Sequence, residues 1–206
     1  SGGPNYGKAP AATLMFLMEV PFFAHRNLSH LIMSGVFERF PELKYVMTEQ
    51  GVAWVLEDLR RMDGYHYQMS SGRAGELGFP AELILPDKPS EYFDRNVWIG
   101  ASFPSPSEAE AIRKVGIHKV MWGSDYPHHE GTFPYNRVHL RRSFSDWDEA
   151  DLRTIFTDNA VEVYRFDADA LAPLAARIGP SVAEVATPVG EDEIPRDALS
   201  PAFTRP

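Results

Sequence analysis

Lys119-Val120-Met121-Trp122 runs directly into Gly123-Ser124-Asp125-Tyr126-Pro127. A short apolar run that ends in turn-forming residues predicts a buried strand emptying into a loop. Just upstream, the helical pattern of Pro106 to Val115 is followed by Gly116, which suits the position past a helix end. Before that helix, Asn96 to Phe103 predicts a second strand.

The same order recurs earlier in the chain. Leu43 to Thr48 predicts a strand, Gly51 a loop, and Val52, Val55, Leu56, Leu59 and Met62 a helix. Leu28, Leu31, Ile32, Val36, Phe37 and Phe40 give Ala11 to Phe40 a helical pattern, with Pro21 separating an earlier apolar segment and Pro41 stopping the helix. Gly72, Gly75, Gly78, Pro80, Pro86 and Pro89 mark Ser70 to Pro89 as a long surface connection. Downstream, Asp148 to Phe156 and Asn159 to Tyr164 are read as helices.

Strands alternating with helices imply an α/β fold with parallel strands, which need helical cover and so restrict the choice to a barrel or a doubly wound sheet. Either one places functional loops at strand C-termini. Three strands cannot close a barrel, which takes about eight. Residues 1–179 read as the folded part, and 180–206, rich in Pro, Glu, Asp and Thr, as an extended or disordered tail. Ser1-Gly2-Gly3-Pro4, with no initiating Met, predicts a chain that starts within a longer protein or after processing.

Composition narrows the function classes. The 206 residues are 44% hydrophobic, enough for a sizeable core. The most apolar run, Leu14 to Phe23, is interrupted by Glu19 and Pro21 and falls short of the roughly 20 residues of a membrane span. A net charge of -9 argues against a nucleic-acid partner. With no Cys, a bound metal would have to be held by His, Asp or Glu, a composition that suits the cytoplasm.

Asp125 stands at a strand end, where a carboxylate can bind a metal and take a proton from its water; the competing reading is an ordinary Gly/Ser/Asp/Pro turn. Glu49 repeats that placement after Tyr45-Val46-Met47-Thr48, against the alternative of a carboxylate capping the helix expected near Val52. His25 and His30 are five apart, roughly 140° around a helix, and cannot chelate one ion as an i, i+4 pair does. His25 is instead expected before the helix, near the rim, as a substrate contact. His128 and His129 follow Asp125, and His128, nearer the strand end, is the expected substrate contact. His66, His118 and His139 read as surface or satisfied core residues.

Leu31-Ile32-Met33-Ser34-Gly35-Val36-Phe37-Glu38-Arg39-Phe40-Pro41, Val46-Met47-Thr48-Glu49-Gln50-Gly51 and Met121-Trp122-Gly123-Ser124-Asp125-Tyr126-Pro127-His128 together resemble the amidohydrolase-2 family. This family includes aminocarboxymuconate-semialdehyde decarboxylase and the resorcylate-type decarboxylases. The resemblance extends to about Asp167, through Asp158-Asn159-Ala160 and Tyr164-Arg165-Phe166. It implies a (β/α)8 TIM-type barrel of which this chain is the C-terminal part, about three β-α units. It also implies one divalent metal, zinc first and manganese second, and a homodimer formed through the complete barrel. Of the family's ligands, an early His-x-His or Glu-x-His pair, a mid-barrel His and a last-strand Asp, only the Asp has a counterpart here, Asp125. Ser1-Gly2-Gly3 resembles the segment that follows the mid-barrel His. Where the semialdehyde decarboxylase carries His-Gly-Gly, this chain has Glu49-Gln50-Gly51, so that His mechanism does not transfer, and Glu49 becomes the candidate proton shuttle.

The expected function is metal-dependent hydrolysis or non-oxidative decarboxylation of a small carboxylated substrate, aromatic or ring-cleaved. The alternative is a catalytically inactive barrel fragment or interaction module lacking the N-terminal metal ligands.

Overall fold

The computed structural model describes residues 5–73, 75–76 and 79–204. The Ser1-Gly2-Gly3 segment and Gly78 of the long connection lie outside them. The chain divides into two compact units, Ser1–Gln50 with Glu57–Val97, and Gly51–Leu56 with Trp98–Pro206.

The first unit opens with α1 (Ala12–Met33), followed by α2 (Val36–Arg39) and β1 (Tyr45–Thr48). α3 (Val55–Ser70) enters it from Glu57 onward, and α4 (Pro89–Asn96) closes it. Its core is built from Leu28 and Ile32 of α1, Phe37 of α2, Met47 of β1, Leu59 and Met62 of α3, and Tyr92 and Phe93 of α4. Polar contacts lock the same elements together. Tyr92 donates to Glu38 at 2.7 Å, Ser90 donates to Asp63 at 2.7 Å, and Asn96 Nδ2 donates to the carbonyls of Pro41 and Leu43, each at 2.8 Å.

The second unit carries β2 (Val97–Ser102) from Trp98 onward, α5 (Pro106–Val115) and β3 (Val120–Gly123). α5 starts where it does because Ser105 and Glu108 form a capping box and Pro106 supplies a preset φ at the first helical position. β2 and β3 are parallel, in the register Ile99 to Val120, Gly100 to Met121, Ala101 to Trp122 and Ser102 to Gly123. Val97, Trp98, Ile99 and Ala101 are all buried, the pattern of a strand covered on both faces. α6 (Asn136–Phe144) and α7 (Glu149–Arg153) follow; the chain then passes through a π-helical turn, Thr154–Asp158, into α8 (Asn159–Tyr164). Asn159 Nδ2 donates to the carbonyls of Ile117 and Val120, each at 2.7 Å, which anchors the entry to β3.

α1 differs from the sequence expectation. It runs through Pro21, which gives up one backbone hydrogen bond, and the helical pattern breaks instead at Gly35. Gly35 has φ +71, and a Cβ there would lie 3.1 Å from Leu85 Cδ2, so the position favours glycine twice over. His25 lies within α1, not ahead of it.

The last part of the chain, expected as an extended or disordered tail, packs against α6. After α9 (Ala168–Ile178) and the short α10 (Val182–Val185), it runs extended between helical turns at Glu191–Glu193 and Pro201–Phe203. Val185, Ala202 and Phe203 are buried. Arg141 donates to the carbonyls of Thr187 and Pro188, both at 2.9 Å, and to both oxygens of Glu193. Arg137 pairs with Glu184, and Arg142 donates to Ala202 O at 2.7 Å. Three apolar anchors, two of them adjacent, and three arginines from α6 leave no periodic signature in the tail itself.

Candidate functional site

Each of the three strands among the described residues is followed by a non-glycine residue with left-handed backbone: Glu49 (φ +57) after β1, Phe103 (φ +37) after β2 and Asp125 (φ +61), two residues past β3. Such conformations are uncommon and cluster where function is worth local strain.

Asp125 is the best-framed of these residues. Thr132 N donates to Ser124 O at 2.9 Å, His128 N to Asp125 O at 2.9 Å and Gly131 N to His128 O at 3.1 Å, so the loop 124–132 folds back on itself. Gly131 makes the closure possible, because a Cβ there would come within 2.6 Å of Ser124 O and 3.0 Å of both Asp125 O and His128 O. The Asp125 side chain is only 9% exposed, and its Oδ2 lies 3.1 Å from Nδ1 of the half-exposed His128. Glu130 adds a second carboxylate, 4.0 Å from that nitrogen. Tyr126 and Phe133 form an exposed edge-to-face pair over the loop, with ring centroids 5.1 Å apart, and the Tyr126–Pro127 and Phe133–Pro134 peptides are cis.

This arrangement admits two kinds of chemistry. A carboxylate and an imidazole at 3.1 Å share a proton. The separation also suits two ligand atoms of one tetrahedral ion, each about 2.1 Å from the metal and hence about 3.4 Å apart. An oxygen and a nitrogen donor, with no thiolate in the chain, fit zinc or manganese.

In the first unit, Glu49 is exposed and φ +57 sets it apart from the strand it follows. α3 starts at Val55, and Glu57 and Asp58 fill its first turn, so Glu49 is not that helix's capping carboxylate. His25 is half-buried on α1 and hydrogen-bonds Gln50, the residue after Glu49. Burial pushes its pKa down against the opposing pull of Asp58 and Gln50, which favours the neutral ring. His129 is exposed, and His66 holds Leu85 O at 2.8 Å. His139 is fully buried, as a satisfied core histidine should be. Glu130 went unsingled in the sequence, because a loop carboxylate carries no periodicity to mark it.

No curated protein matches the chain. Among solved structures it is similar to an amidohydrolase from Mycobacterium avium subsp. paratuberculosis K-10, at 27% identity and a TM-score of 0.58, with 73% of this chain and 35% of that one covered. It is also similar to IDCase from Metarhizium anisopliae in apo form, at 20% identity and a TM-score of 0.50, over 80% and 46% of the two chains. A weaker likeness is to a dihydroxybenzoic acid decarboxylase from Polaromonas sp. JS666, solved with manganese and the inhibitor 2-nitroresorcinol, at 19% identity, a TM-score of 0.46 and coverage of 79% and 48%. The chain thus spans between 35% and 48% of the length of these structures. No described helix is long and apolar enough to cross a membrane. The amidohydrolase family model matches residues 2–166, a span that holds the three described strands and the Asp125 loop, and the chain belongs to that family.

Proposed function

We propose that this chain supplies the last three β-α units of a (β/α)8 metal-dependent enzyme that hydrolyses or decarboxylates a small carboxylated substrate. The observation that carries the reading is Asp125: a sheltered carboxylate at a strand C-terminus, held left-handed in a self-closed loop and paired with His128. Family membership over residues 2–166 supports it. The decarboxylation arm rests on the resemblance of the whole set of sequence motifs to a family that includes decarboxylases, not on the Glu49 position, which departs from the semialdehyde decarboxylase.

In this reading Asp125 Oδ2 ligates one divalent ion, zinc before manganese. When bound, the ion supplies Lewis acidity for a polarised carbonyl or carboxylate. Asp125 also accepts a proton in hydrolysis, and His128 Nδ1 holds the carboxylate in place or contacts the substrate. Glu49 takes a proton and returns it, and the neutral His25 ring steadies the Glu49-Gln50 segment or meets the substrate. The whole enzyme is a cytoplasmic homodimer with no nucleic-acid partner.

Elemental analysis after dialysis tests the metal step. About one zinc or manganese per chain, lost in Asp125→Ala, is expected; metal retained by the variant, or none in the parent, removes Asp125 from a metal site. Trapping released carbon dioxide then separates decarboxylation from hydrolysis, and undiminished turnover of Glu49→Gln would dismiss the proton shuttle.

The second reading, an inactive barrel fragment or interaction module, is favoured by one observation: Leu14, Met18 and Phe22 of α1 are exposed. It predicts no metal and no turnover.

A further inference from the structure

The β2–β3 ladder extends one residue past β2, where Phe103 N donates at 2.8 Å to the carbonyl of Gly123, the last residue of β3. Against this end sits His139 of α6, with 0% of its surface exposed. Its Nε2 lies 3.0 Å from Pro104 O, in the loop after β2. Its Nδ1 lies 3.4 Å from Nε1 of Trp122, three residues before Asp125 on β3. A carbonyl only accepts and an indole N–H only donates. Both contacts are therefore satisfied together by a single form: a neutral ring with its proton on Nε2 and its lone pair on Nδ1.

Aromatic rings complete the enclosure. Trp122 stacks at 6.1 Å, while Phe144 and Phe203 each stand edge-on at 6.4 Å. Phe203 also meets Tyr135, the residue that joins the Asp125 loop to α6, at 6.2 Å. Arg142 fastens the segment bearing Phe203 through Ala202 O, and its charge opposes a second proton on the imidazole.

We propose that His139 is a positioning residue, a neutral clamp that ties the loop after β2 to β3 and α6 and so fixes where Asp125 points. Phe203, from the C-terminal segment, closes its cage. The role as stated for Asp125 rests on the metal-site reading above, whereas the clamp itself does not. Outer partners of this kind align ligand-bearing segments by restricting their motion, and their loss commonly lowers metal affinity about tenfold or more.

His139→Phe keeps the ring volume and removes both polar contacts, while His139→Gln returns a donor near the Nε2 place. Phe203→Ala opens the cage and keeps the imidazole. In the full chain, the 15N imidazole spectrum of His139 is expected to show a protonated Nε2 and a bare Nδ1; a proton on Nδ1, or averaging between tautomers, overturns the clamp. Amide exchange at Phe103 and Thr132 is expected to quicken about tenfold in His139→Phe, less in Phe203→Ala, and to recover in His139→Gln, with α7 unaffected. Exchange that rises uniformly across the unit reduces His139 to ordinary core packing and also overturns the proposal. Manganese affinity, measured in parallel, should fall in His139→Phe and return in His139→Gln. If the parent chain binds no manganese or zinc, the metal reading of Asp125 fails alone, and tautomer and exchange still decide the clamp.

Discussion

The two hydrogen bonds from Asn96 to Pro41 and Leu43, and the two from Asn159 to Ile117 and Val120, solve one problem at two places. These carbonyls flank the entries to β1 and β3, where buried backbone acceptors need partners, and Ile117 O also accepts from Val120 N–H. A buried amide with two donors meets both; Asn96 is 1% and Asn159 3% exposed. Alanine at either position should cost about 1–3 kcal/mol in urea unfolding, the usual penalty for buried groups left unpaired. Asn159→Asp should be worse, and increasingly so as pH rises, since an ionised carboxylate would face two carbonyls. Equal stability of the three variants would deny these amides their anchoring role. His139 adds a pH term of its own. Desolvation foremost, with Arg142 assisting, lowers its pKa from 6.5 to about 4. The folded chain thus binds this proton less readily than the unfolded one, so the contribution is complete above about pH 6.5 and drains away as pH falls toward 4. The loss is on the order of 3 kcal/mol, and His139→Phe should flatten that part of the stability profile.

At the scale of elements, what is written locally was legible and what depends on distant partners was not. α5 begins and ends as expected because Ser105, Pro106, Glu108 and Gly116 are local signals. β2 and β3 shift by one residue at most, since buried parallel strands are short apolar runs bounded by turn residues. α6 escaped notice because half of its buried face is polar: His139 and Ser143 sit beside Leu140 and Phe144. Asp125 and Glu49 could be found by their place after strands, but no composition announces that a non-glycine residue will adopt positive φ. The C-terminal segment was the largest gap, because its partners lie on α6, more than forty residues back. Arg141→Ala should release it, seen as faster proteolytic cleavage between Thr187 and Leu199 with α5 still protected. The Arg141 guanidinium, with help from Gly190 N–H, holds the Glu193 carboxyl down at about 2. A depressed carboxyl pKa stabilises above its unfolded value and is lost only as pH falls through the folded one, so the segment should stay docked through mild acid. Cleavage that appears near pH 4 in the parent chain would contradict this pairing.

At the scale of the whole molecule, apolar surface on α1 competes with net charge. Leu14, Met18 and Phe22 stand at i, i+4 and i+8, a single stripe, and are 66%, 77% and 62% exposed. Phe16 and Leu17 widen it. Water-facing stripes of this kind drive association. The charge of -9 opposes it through repulsion between copies, and salt screens that repulsion within about 10 Å at 0.1 M. Sedimentation velocity should therefore show concentration-dependent association that strengthens as salt is raised, and Leu14→Glu with Met18→Lys should abolish it. Association that weakens with salt would place the contact on charged groups elsewhere. A monomer under all conditions would mean that water tolerates the stripe, and an apolar face on α1 would then say nothing about what the rest of a barrel, or a second copy, covers.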